Sequence, residues 1–179
     1  TATMKLRRQL TAGEILDQVI LARRIAPVTN VVFMGMGEPL DNYDNVRRAA
    51  ILHASPRGFA LAPRHITIST VGVVPRILDL ARDRVPARLT VSLTAPDDAL
   101  RSTLMPVNRR GPIGELMAAV AQWRDQTGRD PTFAYVMLRG VNDDPERAER
   151  LAALARPVHA KVNLIPYNPV AGKSFSRSS

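Results

Sequence analysis

Apolar positions in this chain switch repeatedly between a helical spacing and an alternating one. Thr11 followed by Glu14 forms a capping box, predicting a helix whose Ile15, Leu16, Val19 and Ile20 share a face. The run at 31–36 is too short and too β-branched for a helix and predicts a buried strand. Asp41 or Asn42 can cap a second helix through Val46, Ala49 and Ala50. His65–Thr70 reads as the next strand, and Pro75 starts a third helix. Arg88–Thr94 is strand-like, Ala95–Gly111 a long loop, and 113–126 a helix carrying Leu116, Met117, Val120 and Trp123. Thr132–Leu138 predicts another strand. Asp144 as N-cap and Pro145 then open a helix through Ala148, Leu151, Ala152 and Ala155, and Lys161–Ile165 is the last strand. No repeat or linker divides the chain. One domain over 1–169 is expected, with a polar, Ser-rich tail at 170–179 that frays.

Strands alternating with helices imply right-handed βαβ units, a parallel sheet and an α/β fold. Parallel strands covered on both faces normally read as unbroken apolar runs. Here Leu89, Val91 and Leu93 oppose Thr90, Ser92 and Thr94. Ile66 and Ile68 oppose His65, Thr67 and Ser69, while Val162 and Leu164 oppose Lys161 and Asn163. A polar row on successive strands implies a cavity for a polar ligand, because an ordinary barrel fills its interior with Val, Ile and Leu. The competing reading is an uncovered sheet face.

The most distinctive stretch is Phe33-Met34-Gly35-Met36-Gly37-Glu38-Pro39-Leu40. Its glycines strip side chains from a strand end, so that a ligand can lie against backbone. Glu38 follows at the edge where α/β sheets place ligands, and a carboxylate there suits an ammonium group. An ordinary strand followed by a Gly-rich turn fits the same spacing.

Composition narrows the chemistry. The chain of 179 residues has 45% hydrophobic content, enough for one core, and a formal charge of +9, which favours a polyanionic partner such as nucleic acid. Aromatic content of 4% leaves few platforms for stacking bases, so phosphate contacts would dominate. Arg109 and Arg110 in the predicted loop suit such contacts, whereas Arg47 and Arg48 on a helix read as solvated surface. No apolar run approaches membrane-spanning length and no signal peptide is visible, so a cytoplasmic protein is expected. A monomer is the separate expectation for its assembly. Cysteine is absent and the three histidines (His53, His65, His159) are scattered, so no metal site is predicted within the chain.

Four segments together resemble one family. They are Phe33–Leu40; His65-Ile66-Thr67-Ile68-Ser69-Thr70-Val71-Gly72-Val73-Val74-Pro75; Val91-Ser92-Leu93-Thr94-Ala95-Pro96-Asp97-Asp98 with Leu104–Arg110; and Val162-Asn163-Leu164-Ile165-Pro166-Tyr167-Asn168-Pro169. In order and over about Leu10 to Asn168, they resemble the radical S-adenosylmethionine (SAM) enzymes that methylate an adenine of large-subunit ribosomal RNA, the RlmN/Cfr family. The resemblance implies a partial (βα) barrel of the radical SAM type, parallel strands with helices outside, its first strand and cluster loop missing here. It implies SAM as cofactor, with Gly37 and Glu38 at the methionine amino group and Ser69, Ser92, Leu93, Thr94 and Asn168 as further contacts. It also implies a [4Fe–4S] cluster on three thiolates, an electron donor for it, and ribosomal RNA as substrate, with transfer RNA a second candidate. Asn108, Arg109 and Arg110 are the candidate RNA contacts.

The family's cluster cysteines precede the segment matching Thr3–Leu10, and its methyl-carrying cysteine lies in a C-terminal tail. The expectation is therefore an internal fragment, with no catalytic residue and no metal ligand of its own and inactive in isolation. Thr94 stands where adenine-C2 enzymes usually carry His, and Ala134 where they usually carry Glu; the latter resembles the C8-methylating relatives. Adenine-C2 methylation of 23S ribosomal RNA is the leading expectation. The alternatives are a C8 methyltransferase, a cluster-less RNA-binding paralogue, or an unrelated α/β-barrel enzyme on a phosphorylated metabolite. That last reading lacks an acid–base pair at Asp97 or Asp143.

Overall fold

The computed structural model describes residues 7–35, 37–170, 172 and 174–178. Its strands are β1 (Val31–Phe33), β2 (Ile66–Thr70), β3 (Arg88–Ser92), β4 (Thr132–Met137) and β5 (Lys161–Pro166). They pair in chain order and all in parallel. The helices are α1 (Ala12–Arg23), α2 (Tyr43–Ala54), α3 (Val74–Arg82), α4 (Asp98–Leu104), α5 (Ile113–Thr127) and α6 (Pro145–Ala155).

A strand order that never reverses makes every crossover step the same way. Under the right-handed rule, the connecting helices then land on one face. Burial follows that geometry. Ile66, Ile68, Leu89, Val91, Phe133 and Tyr135 are buried toward the helices, where α3 packs on α5 through Ile77, Leu80, Leu116, Val120 and Trp123. Register puts Ser69 beside Thr90, Thr90 beside Thr132, and Ser92 beside Ala134 on the opposite face. Thr67, Ser69, Thr90 and Ser92 are only half-buried there. The fold is thus α/β, a partial parallel barrel wall with helices outside and a polar inner face running across its central strands.

Local signals explain most boundaries. The capping box at α1 is formed, with Glu14 N donating to Thr11 Oγ1 at 3.3 Å and Thr11 N donating to Glu14 Oε2 at 2.8 Å. Asp144 Oδ1 accepts from Arg147 N at 2.9 Å to start α6. Four expectations need correction. First, β1 ends at Phe33 and is an edge strand, so Phe33 is buried but Val32 stands 50% exposed; Met36, also assigned to that strand, lies outside the described residues. Second, Asn42 precedes α2 without capping it: its Oδ1 accepts from the Asn45 side chain at 2.8 Å rather than from a backbone N–H, while its Nδ2 donates to Leu10 O at 2.7 Å. Third, Ile20 faces solvent. Fourth, the stretch Ala95–Gly111 is not a loop: it holds α4 and a 3-10 turn, Pro106–Arg110. Asp97 caps α4, accepting from Leu100 N at 2.8 Å. In the tail expected to fray, Arg177 bridges to Leu138 and Ser176 O accepts from Arg139 N at 3.0 Å. Among the described residues no helix is long and apolar enough to cross a membrane.

Candidate active site at the strand mouths

Parallel strands deliver their C-terminal ends to one edge of the sheet, and backbone groups there need partners. After β1 the chain turns through Gly35 (φ +120°) and Gly37 (φ +115°), conformations open only to glycine. No atom lies within 4 Å of where a Gly37 side chain would begin, so bare backbone faces open space. Glu38 then sews two turns together. Its Oε1 accepts from Leu40 N at 2.9 Å, and its Oε2 accepts from Val71 N, just past β2, at 2.8 Å. Each carboxylate oxygen retains a second lone pair for an incoming cation.

A buried cation organises the ends of β2 and β3. Arg101, on α4 and fully buried, donates from Nε to Leu93 O at 3.2 Å and from Nη1 to Asn108 Oδ1 at 2.7 Å. Its Nη2 donates to Val71 O at 2.7 Å and to Ser92 O at 3.4 Å. Strand-end carbonyls carry partial negative charge and so stabilise a guanidinium that burial would otherwise disfavour. Burial pulls its pKa below the usual arginine value, with Asp98 opposing. Gly72 (φ +102°) makes room for it, since a side chain there would start 3.1 Å from Arg101 Nη2. Asn142, also buried, joins β3 to β4. Its Nδ2 donates to Thr94 O at 2.7 Å and to Val136 O at 2.8 Å, and its Oδ1 accepts from Leu138 N at 2.7 Å. That bond holds Thr94 at φ +61°, a strained conformation for a β-branched residue.

The geometry therefore gathers Gly37, Glu38, Ser69, Ser92 and Thr94 at one edge of the sheet. The hydroxyls of Ser69 and Ser92 are half-buried and have no hydrogen-bond partner among the described residues. Asn168 is exposed two residues beyond β5. Leu93 is a correction: its side chain is fully buried in the core, following the apolar parity of Leu89 and Val91. Its N–H is also taken by Ala134 O at 3.0 Å. Asn108 is a second correction. It is 2% exposed, accepts from Arg101, and donates to Asp98 Oδ1 and Ser102 Oγ at 2.9 Å each, which leaves nothing for RNA. Arg109 and Arg110 are exposed on the turn it anchors. Arg101 and Asn142 were not singled out from the sequence, although Asp97 as an N-cap would have revealed α4 and, with it, Arg101 on the buried side.

Comparison with known proteins agrees with this architecture. The family model described as "Radical SAM superfamily" matches residues 2–152. The chain belongs to the radical SAM superfamily. It is 49% identical over 168 residues to a protein of Symbiobacterium thermophilum named "Probable dual-specificity RNA methyltransferase RlmN", covering 92% of this chain and 45% of that one. It is 48% identical over 186 residues to "Dual-specificity RNA methyltransferase RlmN" of Anaeromyxobacter dehalogenans, covering 98% and 50%. A crystal structure of a radical SAM methyltransferase from Sphaerobacter thermophilus superposes with TM-score 0.92 at 48% identity, covering 98% of this chain and 53% of that one. The chain spans about half the length of the curated relatives it matches. A domain of pyruvate-formate lyase-activating enzyme from Bacteroides vulgatus shares the fold at TM-score 0.58 and 17% identity.

Superfamily membership implies SAM and a [4Fe–4S] cluster in general. The two fit differently here. The free hydroxyls of Ser69 and Ser92 and the bare backbone at Gly37, all at the C-terminal edge of the sheet, suit a polar cofactor such as SAM. The cluster finds no ligands in these residues: the chain has no cysteine, and no group of three His, Asp or Glu side chains lies together among the described residues.

Proposed function

We propose that this chain is the SAM-binding core of an RNA methyltransferase that places a methyl group on C2 of an adenine in 23S ribosomal RNA, with a transfer RNA adenine as a second substrate. The observation that carries this reading is the pair of unpartnered, half-buried hydroxyls, Ser69 and Ser92, on the inner face near the C-terminal ends of β2 and β3, the sheet edge to which Glu38 is tied through Val71 N. Bound there, SAM supplies the methyl group for transfer. Gly37 backbone and Glu38 receive its ammonium, Ser69 and Ser92 donate to its polar oxygens, and Thr94 and Asn168 border the site. Arg101 and Asn142 touch no cofactor; they hold the carbonyls of Val71, Ser92 and Thr94 so that the hydroxyls keep their aim. Exposed Arg109 and Arg110 supply charge for RNA phosphates at the same edge.

A second reading, methylation at C8, is favoured by one observation. Ala134 sits on the inner face in register with Ser92 and Asn163, so that no carboxylate projects there. Mass spectrometry of nucleosides from cells with and without the gene decides. Loss of 2-methyladenosine from 23S ribosomal RNA supports the first reading, loss of 8-methyladenosine the second, and loss of neither defeats both.

A further inference from the structure

The opposite end of the sheet carries a hollow of its own. A cavity of about 210 Å³ is lined by Arg64, Arg88, Arg129, Asp130, Thr132 and Lys161. Arg88, Thr132 and Lys161 are the first residues of β3, β4 and β5, and register puts Thr132 beside Lys161 on the polar inner face. With β3 rising about 3.3 Å per residue, Arg88 stands roughly 13 Å from Ser92, too far to share one small ligand with the mouth.

Four cations meet one carboxylate here, and that carboxylate is engaged elsewhere: Arg124 Nε reaches Asp130 Oδ1 at 3.2 Å. Among the described residues none of Arg64, Arg88, Arg129 or Lys161 has an acidic partner within 4 Å. Arg129 is half-buried and fixed in place, its Nη1 donating to Val85 O at 3.0 Å and Ala87 O at 3.3 Å, which leaves Nε and Nη2 to offer. Like charges crowded around a hollow repel one another unless an anion joins them. A guanidinium fork with a second cation and a hydroxyl matches the tetrahedral oxygens of phosphate. The cavity is smaller than the roughly 300–1,000 Å³ of pockets for whole cofactors, so it suits a group rather than a molecule.

We propose that this hollow at the N-terminal ends of β3, β4 and β5 binds a phosphate group, contributed by the RNA backbone. The RNA source rests on the function proposed above; the phosphate chemistry does not. Amide NMR of the 179-residue chain titrated with inorganic phosphate tests the site directly. Saturable shifts at Asp130, Thr132 and Lys161 are expected, with apparent affinity falling at least fivefold in R88Q/K161Q. Both substituted side chains are exposed and unpaired, so the variant should keep the parent's thermal midpoint. Absence of saturable shifts in the parent chain, or an unchanged affinity in the variant, overturns the proposal.

Fluorescence anisotropy with a labelled RNA hairpin across a salt series identifies the source. Loss of one to two phosphate contacts should flatten the dependence of log K on log salt by about 0.7–0.9 per contact in R88Q/K161Q. If R109Q/R110Q weakens RNA binding while R88Q/K161Q does not, the RNA source is overturned and the RNA reading stands. If the parent chain binds no RNA, that reading fails, and the phosphate titration alone decides the hollow.

Discussion

Replacing Arg101 with methionine tests how the strand mouths are held in place. Two of its hydrogen bonds are short, 2.7 Å to Val71 O and 2.7 Å to Asn108 Oδ1, and a third reaches Leu93 O at 3.2 Å. Bonds from a charged donor contribute about 1.5–3 kcal/mol each, so the three together contribute roughly 4.5–9 kcal/mol. Against that stands the desolvation of the guanidinium, several kcal/mol per buried ion, which the variant no longer bears. Methionine also restores part of the packing volume. The difference is a net loss of about 3 kcal/mol, with Val71 O and the buried Asn108 Oδ1 left without a donor, while Leu93 O keeps its bond from Ala95 N at 2.7 Å. At about 2–4 °C per kcal/mol for a chain of this size, the midpoint should fall by roughly 6–12 °C. Urea unfolding followed by circular dichroism measures the change, and Arg101→Lys should fall between the parent and the methionine variant because it keeps charge but not the fork. A loss below about 1 kcal/mol for Arg101→Met would refute the reasoning, since the strand ends would then hold themselves.

Other substitutions probe neighbouring parts. Glu38→Gln offers one acceptor and one donor to two backbone N–H groups, so it should cost about 2 kcal/mol in the same unfolding assay. Thr94→Asn relieves the left-handed strain at φ +61° and should stabilise the chain by about 1 kcal/mol; no gain would show that the strain is absorbed elsewhere. His53 is fully buried between Phe33 and Phe59 with both ring nitrogens unpartnered, and burial first, then Arg23, lowers its pKa. The unfolded chain therefore binds a proton that the folded chain refuses. Stability is complete above the unfolded histidine value of about 6.5 and declines as pH falls below it. His53→Leu should flatten that decline in unfolding midpoints measured from pH 7.5 to 5.

How far the sequence could be read depended on the kind of signal. Elements announced by side chains acting on their own backbone were legible: Thr11 with Glu14, Asp144 with Pro145, and the alternation in β2 and β3. The parity argument also put Ser69 and Ser92 on the open face, which register confirms. It applied equally to Leu93, which the family resemblance nonetheless placed among the cofactor contacts; the core position follows from the same alternation. Short α4 was missed because seven residues give too little periodicity to read and a proline-rich turn surrounds them. With it went Arg101 and the buried role of Asn108, since a cation satisfied by backbone carbonyls leaves no local pattern. The hollow below the sheet was invisible for a related reason. Arg64, Arg88, Arg129 and Lys161 are far apart in the chain, and only parallel register brings them together.

The central claim is that free hydroxyls at the strand mouths hold SAM against the Gly37 bend. Equilibrium dialysis of labelled SAM against the chain, with S69A/S92A beside it, tests that claim most directly. Saturable binding that weakens at least tenfold in the variant, with an unchanged unfolding midpoint, is the predicted result. No binding to the parent chain, or equal binding to both, would contradict it.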